Sequence, residues 1–311
     1  MQIKKLKSDA KHALSAASSD PQRLILTYIG AVVLLTLLLS LADLFLQRKI
    51  DNTIGLGGIG TRSMLSTIVA MLRLLPSILL PFWNMGYLHA SLRLSRKESA
   101  EPGDLFSGFR CLGPVFRLNF LQGLIYLVVA LVVSYLFTSF LMFTGIGVSL
   151  MQQLQSIGTD LDTEQLASIL EGSGPILTLG LFGLFLLLFL PVSYHLRLSG
   201  YFLMDAPEKG AIYALISSFQ YMRGNCLSMV RLDLSFLWFY VLEILVGLLC
   251  YGDIIAEALH IPLPLSPDGA YLLFLGAYLL CQFGLYVWQK NYVSVTYACA
   301  YRTLAEQPEE P

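Results

Sequence analysis

Two charged residues, Arg73 and Glu243, stand inside long apolar runs of this sequence, where ionised groups are rare. A charged side chain in the middle of a bilayer costs on the order of 3 kcal/mol and needs a partner or water. Counted at about 1.5 Å per helical residue, Arg73 lies roughly 14 Å and Glu243 roughly 10 Å from the outer ends of their runs. We predict an ion pair between them, structural or lining a polar pathway. The alternative places Arg73 at the outer interface, with Leu74–Leu92 as the span.

Two other titratable side chains lie near the inner ends of apolar runs. Asp233 lies near the inner start of the fifth run, and we interpret it as the partner of Arg231 or Arg223 in an interfacial salt bridge, or as a group that holds Asn225. His195 follows the fourth run. An imidazole can relay protons near neutral pH, but we favour an ordinary interfacial histidine.

The sequence contains no convincing motif for binding a phosphate group or a metal ion. Gly55–Gly60 matches the letters of a dinucleotide-binding glycine motif, but it lacks the strand–turn–helix context that phosphate binding requires, so we interpret it as an outer turn. The five cysteines and four histidines show no spacing typical of metal ligands. We therefore predict no catalytic residue, no metal site and no cofactor.

The composition indicates whether the chain is a soluble protein or a membrane protein. Of the 311 residues, 56% are apolar and 13% are charged, and the mean hydropathy is +0.66. A soluble domain has roughly 25% charged residues. The net charge of -1 provides no basic excess for nucleic acid, so we expect no nucleic-acid partner. The chain is predicted to be a polytopic membrane protein whose main partner is the lipid bilayer.

Six runs are long and apolar enough to form transmembrane helices, since a hydrocarbon core of about 30 Å requires about 20 residues. They are apolar on all sides, which is typical of lipid-facing helices rather than of barrel strands. The predicted fold class is all-α, a membrane helix bundle with six transmembrane helices and short cytoplasmic interfacial helices. The runs are approximately Leu24–Leu46, Met64–Leu92, Leu118–Phe143, Ile176–Tyr194, Met229–Cys250 and Ala270–Trp288.

The Lys and Arg residues outside these runs are distributed very unevenly. Sixteen fall on the side that carries both termini, if Arg231 at the inner start of the fifth run is included, and three fall in the first loop of the other side. Because cytoplasmic loops carry the positive excess, we predict that both termini are cytoplasmic. The first run lacks a small-residue cleavage pattern, so we expect it to remain as a span rather than to act as a signal peptide.

The chain, predicted to be one integral membrane domain over 1–311, divides into units 1–92, 93–203 and 204–302. Each unit combines a short amphipathic segment with two apolar runs, and the segments have the apolar spacing of interfacial helices. Two explanations of the recurring elements are therefore possible. One is an internal duplication, and the other is that any such membrane topology places basic residues and aromatics at these positions. The recurring elements are Arg23–Leu26, Arg117–Phe120 and Arg231–Leu234 at the starts of the odd-numbered runs, and Tyr87, Tyr201 and Tyr292 at the ends of the even-numbered runs.

Several helix boundaries can be predicted from single residues. Asp20 followed by Pro21 is typical of a helix start, with Asp at the N-cap. Gly224 can adopt a positive φ and end the third amphipathic helix before the fifth run. Pro76 and Pro81 are expected to kink the second run.

A set of positions from Asp205 onwards carries a family resemblance. It comprises an Asp-x-Pro after a span, a helix ending in a Ser and a Met-x-Gly-Asn, and a span beginning with Leu-Ser-Phe-x-x-Trp. The pattern resembles a bacterial family of integral membrane proteins catalogued as domain of unknown function 975. The resemblance implies a bacterial cell membrane and no substrate, because that family has no assigned activity. The matching residues are Asp205, Pro207, Ser217, Met222, Gly224, Asn225, Ser235, Phe236 and Trp238.

These observations favour a non-catalytic membrane component, such as a scaffold or accessory subunit with membrane protein partners, and not an enzyme. The alternative is a permease or channel for a small or lipid-like substrate. It would explain an intramembrane Arg73 and Glu243 and the prolines of the second run. An intramembrane enzyme ranks third, because it would need clustered His, Asp or Cys inside the bundle.

Overall fold

The computed structural model is helical, and the residues it describes contain no β-strand. The predicted all-α fold is therefore confirmed. Residues 55–58 of the glycine motif lie outside the described part of the chain. The described residues are 2–17, 20–51, 59–143, 163–258 and 267–305, with side chains described except at 51, 59–62, 163–178, 253, 257, 258, 267 and 268.

Long helices, several of them consecutive, are separated along the chain by groups of short ones. Turns of 3₁₀-helix lie at Pro102–Phe106, Pro207–Lys209 and Leu249–Tyr251, and a π-helical turn lies at Tyr286–Lys290. The helices are α1 Ile3–Ala16, α2 Pro21–Asp51, α3 Ile59–Ser95, α4 Ser107–Arg110, α5 Leu112–Phe143, α6 Thr163–Leu196, α7 Ser199–Asp205, α8 Gly210–Met222, α9 Cys226–Leu234, α10 Leu237–Leu248, α11 Gly252–Ala258, α12 Pro267–Leu285 and α13 Asn291–Ala305.

Five helical segments among the described residues are long and apolar enough to cross a membrane. A sixth is obtained if α9 and α10, which are bent by 65° relative to each other, count as one span. The sequence prediction of multiple apolar spans is confirmed, and their number is five or six. The five segments are Pro21–Ile50, Ser63–Ser95, Leu112–Phe143, Leu179–Asp205 and Gly269–Ala305.

The long helices pack in consecutive pairs, which we term the first, second and third hairpins. α2 lies against α3, α5 against α6, and α10 against α12. A short helical segment precedes each pair: α1, residues 102–110 and α8. This order agrees with the three predicted units, but pairing of consecutive helices also follows from short connections. Duplication therefore stays a prediction.

One end of the bundle holds most of the buried core, and we term it the packed end. It comprises α1, the start of α2, the end of α3, the start of α5, α7 to α9 and α13. The opposite halves of the long helices form what we term the far end. There most large apolar side chains are exposed, as at Leu38, Met71 and Phe140. Exposed apolar surface of this extent is typical of contact with hydrocarbon.

α13 is the central helix of the packed end, and the sequence analysis missed it. The last run was predicted to end at Trp288, but the helix continues to Ala305. Every side chain from Val293 to Tyr301 is buried. Small residues such as Ala298 and Ala300 allow neighbouring helices to approach closely.

The predicted helix boundaries are confirmed at two positions. α2 begins at Pro21, and the Asp20 carboxylate accepts a hydrogen bond from the Gln22 N–H at 3.0 Å. α8 ends at Met222, and Gly224 has φ +87°. α3 runs through Pro76 and Pro81 without interruption.

Two glycines set a close contact between α3 and the following segment. A Cβ atom at Gly86 would lie 1.9 Å from the Leu105 carbonyl oxygen, and one at Gly108 would lie 2.0 Å from the Phe82 carbonyl oxygen. Both distances are far below van der Waals contact, so only glycine fits. The two backbones therefore touch directly at the packed end.

Candidate functional site

The bend between α9 and α10 places Asp233 among polar side chains of other helices. Ser235 and Phe236 interrupt the helix at this point. Asp233 Oδ2 accepts hydrogen bonds from Arg197 Nη1 at 2.5 Å and from the Tyr194 hydroxyl at 2.5 Å. The Tyr297 hydroxyl donates to Asp233 Oδ1.

Aromatic rings complete this group, which we term the Asp233 cluster: Tyr194, Arg197, Asp233, Tyr240 and Tyr297. The Tyr240 and Tyr297 hydroxyls are 2.6 Å apart. The Arg197 guanidinium lies 4.7 Å from the ring centre of Tyr297 and 5.4 Å from that of Tyr194. Cation–π contacts of this kind strengthen when they are shielded from water.

The partner predicted for Asp233 was wrong. Arg197 forms the ion pair, rather than Arg231 or Arg223. Asn225 instead donates a hydrogen bond from Nδ2 to the Tyr221 carbonyl oxygen at 3.0 Å.

A cavity of about 350 Å³ adjoins the Asp233 cluster. The side chains of Arg197 and Asp233 are 31% and 15% exposed, so a small molecule could reach them. Their charges compensate each other, and Asp233 already accepts three hydrogen bonds, which uses most of its acceptor capacity. The arrangement suits fixing a helix bend better than proton transfer. The lining residues are Tyr194, Arg197, Val230, Asp233, Leu234, Leu237 and Tyr240.

Lys7 of α1 binds the same bend from the other side. Its ammonium group donates a hydrogen bond to the Ser235 carbonyl oxygen at 3.0 Å and lies 4.1 Å from the ring centre of Phe236. Burial lowers the pKa of Lys7, and the charge of Lys11 lowers it further. A cation at this carbonyl complements the negative end of α9. The amino-terminal helix is thus tied to the interrupted span.

His195 lies beside a cysteine that is distant in the sequence. The Cys226 sulfur is 3.8 Å from both ring nitrogens. His195 Nδ1 is 2.7 Å from the Pro191 carbonyl oxygen of its own helix, and the ring packs on Phe219 with 4.6 Å between centres. These contacts fit the interpretation of an interfacial histidine held by its surroundings.

Arg73 and Glu243, predicted to pair with each other, have other partners. Arg73 Nε and Nη2 donate to the two carboxylate oxygens of Asp43, each at 3.1 Å. Glu243 accepts a hydrogen bond from the Tyr286 hydroxyl at 2.6 Å. The predicted pair is replaced by one contact within the first hairpin and one within the third.

The positions that carry the family resemblance lie at the packed end and at the start of α10. Asp205 pairs with Arg96 at 2.7 Å and accepts a hydrogen bond from the Tyr301 hydroxyl at 2.9 Å. Pro207 begins a 3₁₀ turn, and Met222 is fully buried.

The remaining family-pattern positions differ in burial. Ser217 and Phe236 are buried. Trp238 is 41% exposed and packs against Trp288, with 5.4 Å between ring centres and 55° between ring planes. Gly224 and Asn225 lie in the turn before α9, and Ser235 lies in the bend after it, so these positions mark changes in chain direction rather than one pocket.

Ser218, next to Ser217, makes a connection that the sequence analysis did not identify. Its hydroxyl accepts a hydrogen bond from the Leu198 N–H at 3.1 Å and donates one to the His195 carbonyl oxygen at 2.7 Å. Helix α8 is thereby fixed to the turn between α6 and α7.

A second polar network connects the first and third hairpins. The Tyr87 hydroxyl donates to Asn291 Oδ1 at 2.8 Å, and Asn291 Nδ2 donates to the Pro21 carbonyl oxygen at 2.6 Å. The Tyr28 ring stacks on Tyr87 at 4.6 Å, and its hydroxyl donates to Asn84 Oδ1 at 2.5 Å. Tyr87 was among the recurring tyrosines, so the pattern pointed to the network without naming its members.

Among the described residues, no three or more His, Cys, Asp or Glu side chains are grouped so as to hold a metal ion. Comparison with family models, with curated proteins and with solved structures gives no match to this chain. The apolar helices fit a membrane protein, and the resemblance to domain of unknown function 975 remains an expectation from the sequence.

Proposed function

We propose that the chain is a multi-pass, non-catalytic component of a cell membrane, with six transmembrane helices and both termini in the cytoplasm. The observation that carries this proposal is that charged side chains at the packed end form ion pairs with one another. Asp233 is bound by Arg197, Asp205 by Arg96, and the Arg93 guanidinium by Asp104 at 2.8 Å. Charges committed to one another hold a fold, whereas a reaction site keeps groups available to its substrate.

Six spans follow if the bent pair α9 and α10 crosses as one element. The excess of Lys and Arg on the side of the termini supports the orientation. We also propose membership of the family catalogued as domain of unknown function 975, because the matching residues form turns and bends at one end of the bundle. A scaffold or accessory role with membrane protein partners is consistent with these properties.

The second candidate function is a permease, and the broken helix with its cavity favours it. Discontinuous spans next to a polar cavity are typical of secondary transporters. The cavity at the Asp233 cluster has room for a small molecule, and its polar wall is formed at the bend. A permease must expose this cavity to both sides of the membrane in turn.

Cysteine labelling in proteoliposomes separates the two functions without a known substrate. Leu234→Cys, in a chain whose five native cysteines are replaced, places one thiol in the cavity wall. We expect an impermeant maleimide to modify it only from the side of the packed end. Modification from both sides would favour the permease and contradict a static component. Leu245→Cys, on the exposed surface of the same helix pair, is the control that we expect to remain unmodified from either side.

A further inference from the structure

A second cavity, of about 390 Å³, lies between the start of α5 and the start of α8. It has no part in the Asp233 cluster. Arg117 of α5 and Lys209, directly before α8, provide its basic wall, and Phe120 and Ile212 provide an apolar wall. The cavity is at the packed end, on the side that carries the excess of positive residues.

Both cations are available to a ligand. Arg117 and Lys209 are exposed, and the ion pairs among the described residues involve other cations. Lys209 Nζ lies 4.7 Å from the ring centre of Tyr213 and donates a hydrogen bond to the Tyr213 hydroxyl at 3.4 Å, and an ammonium has two further N–H donors for a ligand. Glu208, its neighbour in the chain, is exposed and is the nearest carboxylate in sequence. Two positive groups thus face one cavity.

The apolar wall continues away from the cations. On α5, the side chains at Phe120, Leu124, Leu127 and Leu131 are 62%, 48%, 55% and 61% exposed. Their spacing of three or four residues places them on one face of the helix. At about 1.5 Å per residue, this stripe extends roughly 16 Å from the cavity towards the far end. That length is suited to an acyl chain.

We propose that this cavity binds an anionic phospholipid of the adjacent leaflet. The phosphate group lies between Arg117 and Lys209, and an acyl chain follows the exposed stripe that starts at Phe120. Charge complementarity selects the anionic headgroup, and the apolar stripe selects a lipid over a soluble phosphate. Basic pockets between helices on the cytoplasmic side are suited to anionic lipid headgroups.

The test is lipid binding to the purified full-length chain in a neutral detergent, measured by native mass spectrometry. The probes are dioleoylphosphatidylglycerol and dioleoylphosphatidylcholine. Each cation near an anionic headgroup contributes about fivefold in affinity, so we expect the two cations together to make phosphatidylglycerol bind about twenty-five-fold more tightly than phosphatidylcholine. The double variant Arg117→Gln/Lys209→Gln should lose that preference, with a larger loss of affinity for phosphatidylglycerol than for phosphatidylcholine, whose zwitterionic headgroup also carries a phosphate.

A matched control removes the same charge elsewhere at the packed end. Lys5→Gln/Arg223→Gln changes two exposed residues that do not line the cavity, and we expect the lipid preference to persist. The single variant Lys209→Gln, at a surface turn, should reduce the preference for phosphatidylglycerol about fivefold. It replaces the double variant in the test if the double variant fails to fold. Phe120→Ala should weaken the binding of both lipids.

Three results would overturn the proposal. The first is equal affinity of the wild-type chain for the two lipids. The second is an equal loss of preference in the control variant. The third is displacement of phosphatidylglycerol by inorganic phosphate at comparable concentration, which would identify a site for a soluble anion instead.

Discussion

The packed end and the far end are built from the same long apolar helices, yet different contacts hold them together. At the packed end, polar side chains from several helices bind one another around α13, and glycines allow backbones to touch. At the far end, the described polar contacts include the Asp43–Arg73 pair, in which Arg73 is 58% exposed. Lipid tails are as apolar as leucine, so apolar surface alone does not select a helix partner in a bilayer. Polar contacts and close approach make that selection.

The two ends of the bundle therefore have different roles. The packed end specifies how the hairpins meet, since the Asp233 cluster and the Tyr87–Asn291 contact each join helices of different hairpins. The far end presents lipid-facing surface. Substitutions should therefore be costly at the packed end and mild at the far end.

The largest effect is expected from Asp233→Asn. It leaves the partly buried Arg197 without its counter-charge, and we expect the free energy of unfolding to fall by about 3 kcal/mol. Reversible unfolding by dodecyl sulfate in mixed micelles measures this change. Adding Arg197→Gln should cost less than the sum of the two single losses, because the pair acts as a unit. Additive losses would show that the two residues stabilise the fold independently.

Gly86→Ala should be the next most damaging change. The new methyl group would meet the Leu105 carbonyl oxygen and force α3 away from the following segment, at a cost of about 2 kcal/mol. Thermal unfolding in detergent measures the loss. Gly123→Ala is the matched control, since no atom beyond its own stretch of helix backbone lies within 4 Å of the added Cβ, and the stability of this variant should be unchanged or slightly raised. Equal losses in both variants would show that the close backbone contact at Gly86 is not the cause of the lost stability.

A smaller effect is expected from Lys7→Met at the bend between α9 and α10. The variant keeps the apolar stem but loses the hydrogen bond to Ser235 and the contact with the Phe236 ring, worth about 1 kcal/mol together. Unfolding by dodecyl sulfate reports the difference. The exposed Lys5→Met provides the control on the same helix, and a similar loss there would mean that general charge, rather than the contact, matters.

The smallest effect is expected from Asp43→Asn at the far end. With Arg73 at the outer interface, where its exposed side contacts water, losing the pair should change the free energy of unfolding by about 0.5 kcal/mol. The same unfolding assay allows direct comparison with Asp233→Asn. A loss as large as that of Asp233→Asn would break the distinction between the two ends.

The helices were predictable from the sequence because their signals are local. Apolar length predicted the spans, Asp20 predicted the start of α2, and Gly224 predicted a positive φ after α8. α13 was missed because its small and polar residues are typical of an aqueous tail. Protein, rather than lipid or water, surrounds this helix, and a single sequence does not show which surroundings apply.

The polar contacts were less predictable because they join distant positions. Asp233 lies 36 residues from Arg197, 39 from Tyr194 and 64 from Tyr297. For Arg73, counting residues from the end of the apolar run predicted its depth in the membrane, but it did not predict which helix lies beside it. The partner proved to be on α2, the other half of the same hairpin.

The most direct test of the account is the side of the membrane on which each end lies. Two single-cysteine variants in a chain without native cysteines serve this purpose: Ser99→Cys in the exposed loop after α3, and Tyr251→Cys at the far end, where Tyr251 is 60% exposed. An impermeant thiol reagent is applied to intact cells and then to permeabilised cells. The account predicts that Tyr251→Cys reacts in intact cells and that Ser99→Cys reacts only after permeabilisation. The reverse pattern, or reaction of both in intact cells, would contradict a cytoplasmic packed end.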